Sequence, residues 1–409
     1  MDFSENIPWK EAVLLKVAGV VAEYNPFHNG HAYHLQKTRE AGATHIVAAM
    51  SGGFVQRGDI AVLSKFARAR AAILGGADLV VEIPPPFALS SAATFARAGV
   101  WLLHCFGVQM LSFGSECGSV EILENMALQA SAAESSAEMT GFLKEGMSYP
   151  RARAAAVSCL FGEKAAGRFS FPNDMLALEY LKSAGEISPG IELLALCRIE
   201  TPHDSPKASG GYASASFLRK MLWEKDMDSI QDYVPSKAMK IYQKEKEKHR
   251  APIFSEPIER LLLYHLRSLT AEGFSLLPDV SEGLENRLYR AAQEAESISG
   301  FCSAVKTKRY TLARIRRIVY CAALGITRQA QEGFPDYIRV LAFNQRGREI
   351  LSSVPTACKI PVGGRFSELY RQAPKGIEYS VQGEDLVSLA MPSIPPSGRE
   401  FTEKVSMMP

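Results

Sequence analysis

Three histidines, His28, His31 and His34, stand in the stretch VVAEYNPFHNGHAYHL from Val20 to Leu35. An apolar strand pattern runs straight into them. His28 and His31 are three residues apart, so on a turn entering a helix they share a face beside the helix N-terminus. The unpaired backbone N–H groups and the positive dipole end of that helix lie there too. Gly30, between them, lets the backbone approach a ligand closely. This combination suits a polyphosphate, because imidazole N–H groups can donate to oxygens whose charge grows as pyrophosphate leaves. His34, one turn on, reads equally as a ligand contact or as packing behind the site. His45, His104, His249 and His265 read as structural.

The elements that must position these residues alternate through the first half of the chain. Val17–Ala22, Ile46–Met50, Leu79–Ile83, Met110–Phe113 and Leu193–Ile199 read as strands. Their apolar runs are continuous, as in strands covered on both faces. Between them His31–Ala41, Ser64–Leu74, Ser90–Phe106, Val120–Ala133 and Asp174–Ser183 have helical spacing, and Ala215–Leu222 follows. Strands separated by helices predict right-handed crossovers and a parallel sheet. Ligands of such sheets bind beyond the carboxyl ends of the strands. His28, Ser51–Gly53, Glu82, Gly114–Glu116 and Arg198 all fall there, so five loops should converge on one rim. Glu23 reads as a positioned carboxylate or a capping partner, Asp78 and Glu82 as surface or cap residues, and Asp59 as a turn residue.

After about Trp223 the alternation stops. Lys237–Arg250, Ile258–Leu269, Glu282–Ser297 and Thr311–Ala322 read as helices, and Tyr337–Phe343 as an added strand. Lys306–Arg317 (KTKRYTLARIRR) holds six basic residues and no acidic one. Lys306, Arg309, Arg316 and Arg317 would form a wide basic face, the electrostatic footprint of an RNA-backbone site. Lys244–Arg250 mixes Glu with Lys and reads as an ion-paired surface helix. The expected division is a short extension over 1–16, an α/β domain over 17–225, a mainly helical domain over 226–392 and a loose tail over 393–409.

Bulk composition narrows the class. Hydrophobic residues make up 47% and charged residues 22% of the chain, as in an ordinary soluble protein. The net charge of +2 neither requires nor excludes a nucleic-acid partner, since local clustering matters more. Seven cysteines without a CxxC pair argue against a disulfide framework or a zinc site and for reduced thiols in a cytoplasmic protein. No apolar run approaches the roughly 20 residues that span a bilayer, and the N-terminus lacks the basic-then-apolar order of a signal peptide. The sequence leaves the oligomeric state open.

HNGH at His28–His31 resembles the HxGH signature of a nucleotidyltransferase superfamily. More narrowly, EYNPFHNGH (Glu23–His31), MSGGFVQRGD (Met50–Asp59), SKFARARAAILGGADLVVEIP (Ser64–Pro84), FGSE (Phe113–Glu116) and PND (Pro172–Asp174) resemble the bacterial tRNA(Met) cytidine acetate ligases. SASFLR (Ser214–Arg219) and KRYTLARIRR (Lys308–Arg317) also fit, so the likeness runs from about Val17 to about Arg348. It implies a Rossmann-like parallel-sheet nucleotidyltransferase domain followed by a mainly helical tRNA-binding domain. It implies that ATP and acetate form acetyl-adenylate, and that the acetyl group passes to the wobble cytidine of elongator tRNA(Met). Mg²⁺ is expected with ATP, largely water-ligated.

By the same resemblance His28 and His31 face the phosphates. Val21, Ala22, Glu23, Tyr24, Asn25, Pro26, Phe27, Asn29, Gly30, Ala32, Tyr33 and His34 complete the ATP-binding stretch. Gly114, Asn173 and Arg198 finish the nucleotide site. Lys65, Arg68, Ser214, Ser216 and Arg219 are candidate phosphate or tRNA contacts. Lys306, Lys308, Arg309, Arg316 and Arg317 are candidate tRNA contacts. The sequence departs from the family where MSGNF reads MSGGF (Gly53), where SATAIR reads SASFLR, and in the link from Glu200 to Gly211. Two rival readings are an adenylyltransferase acting on a small phosphorylated metabolite and a non-catalytic RNA-binding protein.

Overall fold

The computed structural model describes residues 15–198, 211–281, 283–354, 358–372 and 376–409. The first 14 residues and the departures between 200 and 210, with Ile199, lie outside these.

The chain opens with β1 (Val17–Ala22), α1 (Asn29–Glu40) and β2 (His45–Ser51), then a small hairpin of β3 (Phe54–Val55) and β4 (Asp59–Ile60). Next come α2 (Lys65–Leu74), β5 (Leu79–Ile83), α3 (Pro85–Ala88), α4 (Ala92–His104) and β6 (Met110–Ser115). Helices α5 (Val120–Glu134), α6 (Ala137–Lys144), α7 (Tyr149–Phe161), α8 (Glu163–Arg168) and α9 (Pro172–Ile187) lead to β7 (Glu192–Cys197). The remainder is largely helical: α10 (Ala215–Glu224), α11 (Ser236–Glu247), α12 (Glu259–Ser268), α13 (Ala271–Ser275), α14 (Leu284–Glu294), α15 (Ile298–Val305) and α16 (Leu312–Leu324). It is completed by β8 (Ile338–Phe343), α17 (Gln345–Ser352), β9 (Val362–Gly363), α18 (Phe366–Arg371), α19 (Ile377–Leu389), α20 (Arg399–Thr402) and β10 (Ser406–Met407).

The main sheet runs β10-β8-β5-β2-β1-β6-β7. Its β5-β2-β1-β6-β7 part is parallel throughout. Alternate residues of each strand feed opposite cores, which is why the strands look continuously apolar. Ala18, Val20, Ile46, Ala48 and Val80 face the layer of α2, while Val17, Val47, Ala49, Leu79 and Val81 face that of α4 and α9. Strand order reverses direction at β1, with β2 on one side and β6 on the other. A crevice forms at such a switch point, and the loop carrying His28 leaves from it.

A separate helical core gathers Leu262, Leu266, Leu288, Phe301, Ile315 and Ile318. Two features depart from the expected division at residue 225. The Ala238, Met239 and Tyr242 face of α11 packs into the α/β core, and β8 lies antiparallel to β5 in the main sheet. The tail is not loose either: β10 pairs with β8, and Arg399 and Glu400 are buried. Its Pro- and Ser-rich composition hid Glu400, whose partners Lys65 and Arg339 are distant in sequence. Among the described residues, no helix is long and apolar enough to cross a membrane.

Candidate active site

His28 is the N-cap of α1. Its Nδ1 accepts from the Gly30 N–H at 3.1 Å, and the Nδ1 of His31 accepts from the His28 N–H at 3.2 Å. The rings stack with centroids 3.8 Å apart. Since each Nδ1 is an acceptor, each neutral ring carries its proton on Nε2. Both residues line a cleft of about 1520 Å³. Burial, with the Arg198 and Arg219 guanidiniums, lowers the His28 pKa to about 3. Burial, with His28 and Arg198, holds His31 well below the ordinary value. The protein therefore offers two neutral imidazoles with paired Nε2–H donors.

That neutrality makes a stability prediction. The unfolded chain protonates these histidines near pH 6.5 while the folded chain does not. Below that pH the unfolded state binds more protons, so stability falls as pH falls from about 6.5 toward 4. Urea midpoints should drop between pH 7 and pH 5, and His28→Asn should show a smaller drop.

Around the pair stand cations and helix ends. Arg198 and Arg219 line the same cleft, as do Ser214 and Ser216 at the start of α10. Ser214 Oγ accepts from the Phe217 N–H at 3.1 Å and caps α10. Arg219 donates to the Asn25 carbonyl at 2.9 Å and to Ser216 Oγ at 3.1 Å. Two helix N-termini and two guanidiniums thus frame one space suited to an anion.

On the β6 side Asn173 Nδ2 donates to Glu116 Oε1 at 2.6 Å, and Arg198 donates to Asn173 Oδ1 at 3.3 Å. The Glu116 carboxylate also accepts from the Asp174 N–H at 2.9 Å. In return Asp174 Oδ1 accepts from Ser115 Oγ at 2.5 Å and the Glu116 N–H at 2.8 Å. Glu116 and Asp174 therefore hold Asn173 and Arg198 in place. Sequence reading quoted both within FGSE and PND but gave neither a role; their reciprocal carboxylates were the available signal. A Cβ on Gly114 would meet only the Arg198 side chain, at 3.6 Å. Internal packing does not demand glycine there, which fits backbone left bare for a ligand.

The other candidates divide. Val21, Ala22, Glu23, Tyr24, Asn25, Gly30, Tyr33 and His34 line the cleft; Pro26, Phe27, Asn29 and Ala32 do not. Phe27 is fully buried, and the Asn29 amide donates to the Gly211 and Asp232 carbonyls. His34 hydrogen-bonds Ser112 at 2.9 Å, and burial lowers its pKa to about 4. Glu23 Oε1 accepts from the Gln56 N–H at 2.7 Å.

Lys65 and Arg68 are not at the rim. Lys65 is buried against Glu82 at 2.8 Å and Glu400 at 2.6 Å. Arg68 is fully buried and donates to the carbonyls of Glu23, Ser51, Gly52 and Leu63. Neither Glu82 nor Asp78 is a surface residue: Glu82 neutralises Lys65, and Asp78 accepts from the Ile46 N–H and Arg39. Asp59 accepts from the Ile60 N–H, a turn contact.

In the basic stretch Lys306, Lys308 and Arg316 are exposed, and Arg309 lines the cleft. Arg317 is no part of an open basic face. It is buried, with its guanidinium on Asp279 at 2.6 Å and the Gln56 carbonyl at 3.3 Å.

Comparison with known proteins agrees with this geometry. A family model described as HIGH Nucleotidyl Transferase matches residues 15–400. The tRNA(Met) cytidine acetate ligase of Thermoanaerobacter sp. (strain X514) is 34% identical over 394 residues, covering 94% of this chain and 98% of the relative. That of Caldicellulosiruptor saccharolyticus is 36% identical over 354 residues, covering 84% and 86%. A crystal structure of Thermotoga maritima TmcAL bound with alpha-thio ATP superposes with a TM-score of 0.85 at 33% identity, covering 96% of this chain and 99% of that one.

Proposed function

Because the chain belongs to the HIGH nucleotidyl transferase family and is closely related to the tRNA(Met) cytidine acetate ligases, we propose that it activates acetate with ATP and acetylates a tRNA cytidine. In the first step an acetate oxygen attacks the α-phosphorus of ATP. The bond from that phosphorus to the bridging oxygen breaks, and pyrophosphate leaves with the electron pair. In the second step the exocyclic N4 of the wobble cytidine of elongator tRNA(Met) attacks the acetyl carbonyl. The carbonyl-to-AMP bond breaks, and the amine gives up a proton to AMP or solvent.

The observation that carries this reading is the stacked pair of neutral, Nε2-protonated histidines at the head of α1. Their donors, with Arg198 and Arg219, suit the negative charge that builds on departing pyrophosphate. Asn173, held by Glu116, and the bare Gly114 backbone suit the nucleoside end. No covalent enzyme intermediate is required, so the chemistry asks for no nucleophilic Ser or Cys. Among the described residues no three or more His, Cys, Asp or Glu side chains form a metal cage. Any Mg²⁺ would arrive with ATP and would help neutralise its phosphates.

The test is ATP–pyrophosphate exchange by the purified chain, with and without acetate. Acetate-dependent exchange without tRNA is the expected result. Exchange independent of acetate, or none even with total tRNA added, would overturn the reading.

A further inference from the structure

The third histidine of the rim presents the opposite chemistry to the first two. His34 stands one turn along α1 from His31 and lines the same cleft. Its Nε2 lies 2.9 Å from Ser112 Oγ, Ser112 Oγ lies 2.7 Å from Thr38 Oγ1, and Thr38 Oγ1 lies 2.9 Å from the His34 carbonyl oxygen. Thr38 and Ser112 are fully buried, so this short chain is sealed from water.

The chain has only one consistent direction. A hydroxyl has a single proton to give. The His34 carbonyl accepts and never donates, so the Thr38 proton is spent there. Ser112 then donates to Thr38, and Ser112 Oγ accepts from His34 Nε2. The tautomer follows: His34 carries its proton on Nε2 and keeps a lone pair on Nδ1. Burial, with the charge of Arg198, lowers its pKa to about 4, so Nδ1 stays unprotonated at neutral pH. Among the described residues the ring's one hydrogen-bond partner is Ser112, and it engages Nε2.

His28 and His31 spend Nδ1 on backbone N–H groups and keep Nε2–H. His34 spends Nε2–H on Ser112 and keeps an acceptor. Phosphate and acetate oxygens carry only lone pairs at neutral pH, so this acceptor does not suit them. It calls for a hydroxyl or an amine. Position selects between these. His34 lies about 4.5 Å beyond His31 along the helix axis, and Ser112 ties its ring to β6, the strand that carries Gly114. That is the direction from the phosphate-facing pair toward the nucleoside end. In ATP the group that follows the α-phosphate is the ribose, with two hydroxyl donors, while the adenine amine lies at the far edge of the base.

We propose that His34 Nδ1 accepts a hydrogen bond from a ribose hydroxyl of ATP and so selects ribonucleotide over deoxynucleotide. This rests on the ATP-dependent reading above. The test measures, by calorimetry, the Kd of ATP, 2′-deoxy-ATP, 3′-deoxy-ATP and purine riboside triphosphate for wild type, His34→Phe and Thr38→Val, with acetate-dependent exchange in parallel. Wild type should bind one deoxy analogue about tenfold more weakly than ATP, the share of one hydrogen bond. His34→Phe should lose about that factor for ATP and bind ATP and that analogue alike. Thr38→Val alters a buried residue behind the ring. It frees the Ser112 proton to face Nε2, which admits the opposite tautomer, so the gap between ATP and the analogue should narrow. Equal Kd for ATP and both deoxy analogues in wild type would overturn the proposal, as would a gap that survives in His34→Phe. If His34→Phe does not fold, an unchanged gap in Thr38→Val overturns it. A gap that His34→Phe closes only for purine riboside triphosphate, which lacks the adenine amine, would give Nδ1 to the base and overturn it too. The expected ribose gap without acetate-dependent exchange would leave this contact standing and sink the acetate-ligase reading.

Discussion

His28→Ala is expected to lower acetate-dependent ATP–pyrophosphate exchange by about 10²–10³-fold, the usual cost of removing one donor aimed at developing charge. The imidazole does two jobs that the variant removes together. Its Nδ1 caps α1 through the Gly30 N–H, and loss of a cap costs about 1 kcal/mol. Its Nε2–H is the donor that the proposed function assigns to the phosphate. His28→Asn separates the two. Asparagine is a good N-cap but lacks an imidazole donor at that reach. The Asn variant should melt near the wild-type temperature and still lose the exchange. Exchange within tenfold of wild type in His28→Asn, with ATP bound normally, would remove the histidine from the chemistry and leave it a cap.

The second large effect is on stability. Lys65 sits in a buried ionic cluster behind the rim, between Glu82 and Glu400, while Arg339 pairs with Glu400 at 3.1 Å and Arg399 with Glu384 at 3.1 Å. Burial raises the Glu82 pKa, and it raises that of Glu384 to about 7. Lys65→Met leaves buried carboxylates without their cation, and breaking a buried pair in this way costs about 3–5 kcal/mol. Protonating a carboxylate relieves that strain, so the loss should be smaller at pH 5 than at pH 8. Denaturant titration at the two pH values measures both. If Lys65→Met alone does not fold, the double variant with Glu82→Gln should recover part of the loss, because it removes a charge of each sign. A loss below about 1 kcal/mol at pH 8 would show that the cluster is not the clasp described.

This cluster also explains why some of the chain was legible and some was not. Strands β1, β2 and β5 were readable because each feeds two cores and so carries a largely apolar run, whereas the two-residue strands β3 and β4 were too short to show one. The histidine rim was readable because HNGH follows such a strand and opens a helix, so one local segment supplies both the donors and their scaffold. Lys65 and Arg68 were misplaced because a sequence displays charge without the groups that neutralise it. Glu400, which meets Lys65, arrives from the far end of the chain, and Arg68 spends its guanidinium on carbonyls that carry no sequence signal. Arg317 was misread for the same reason, since Asp279 lies on a different segment.

The sequence by itself determined the alternating α/β order, the histidine pair at the end of β1 and the cationic character of the stretch before α16, because each depends on neighbours within a few residues. Only the tertiary structure decided which basic residues are buried against a partner, as Lys65 and Arg317 are. It also carried β8 and β10 back into the main sheet and placed Glu116 behind Asn173. Those outcomes depend on burial and on partners far away in sequence, and a buried charge takes its role from the group that neutralises it.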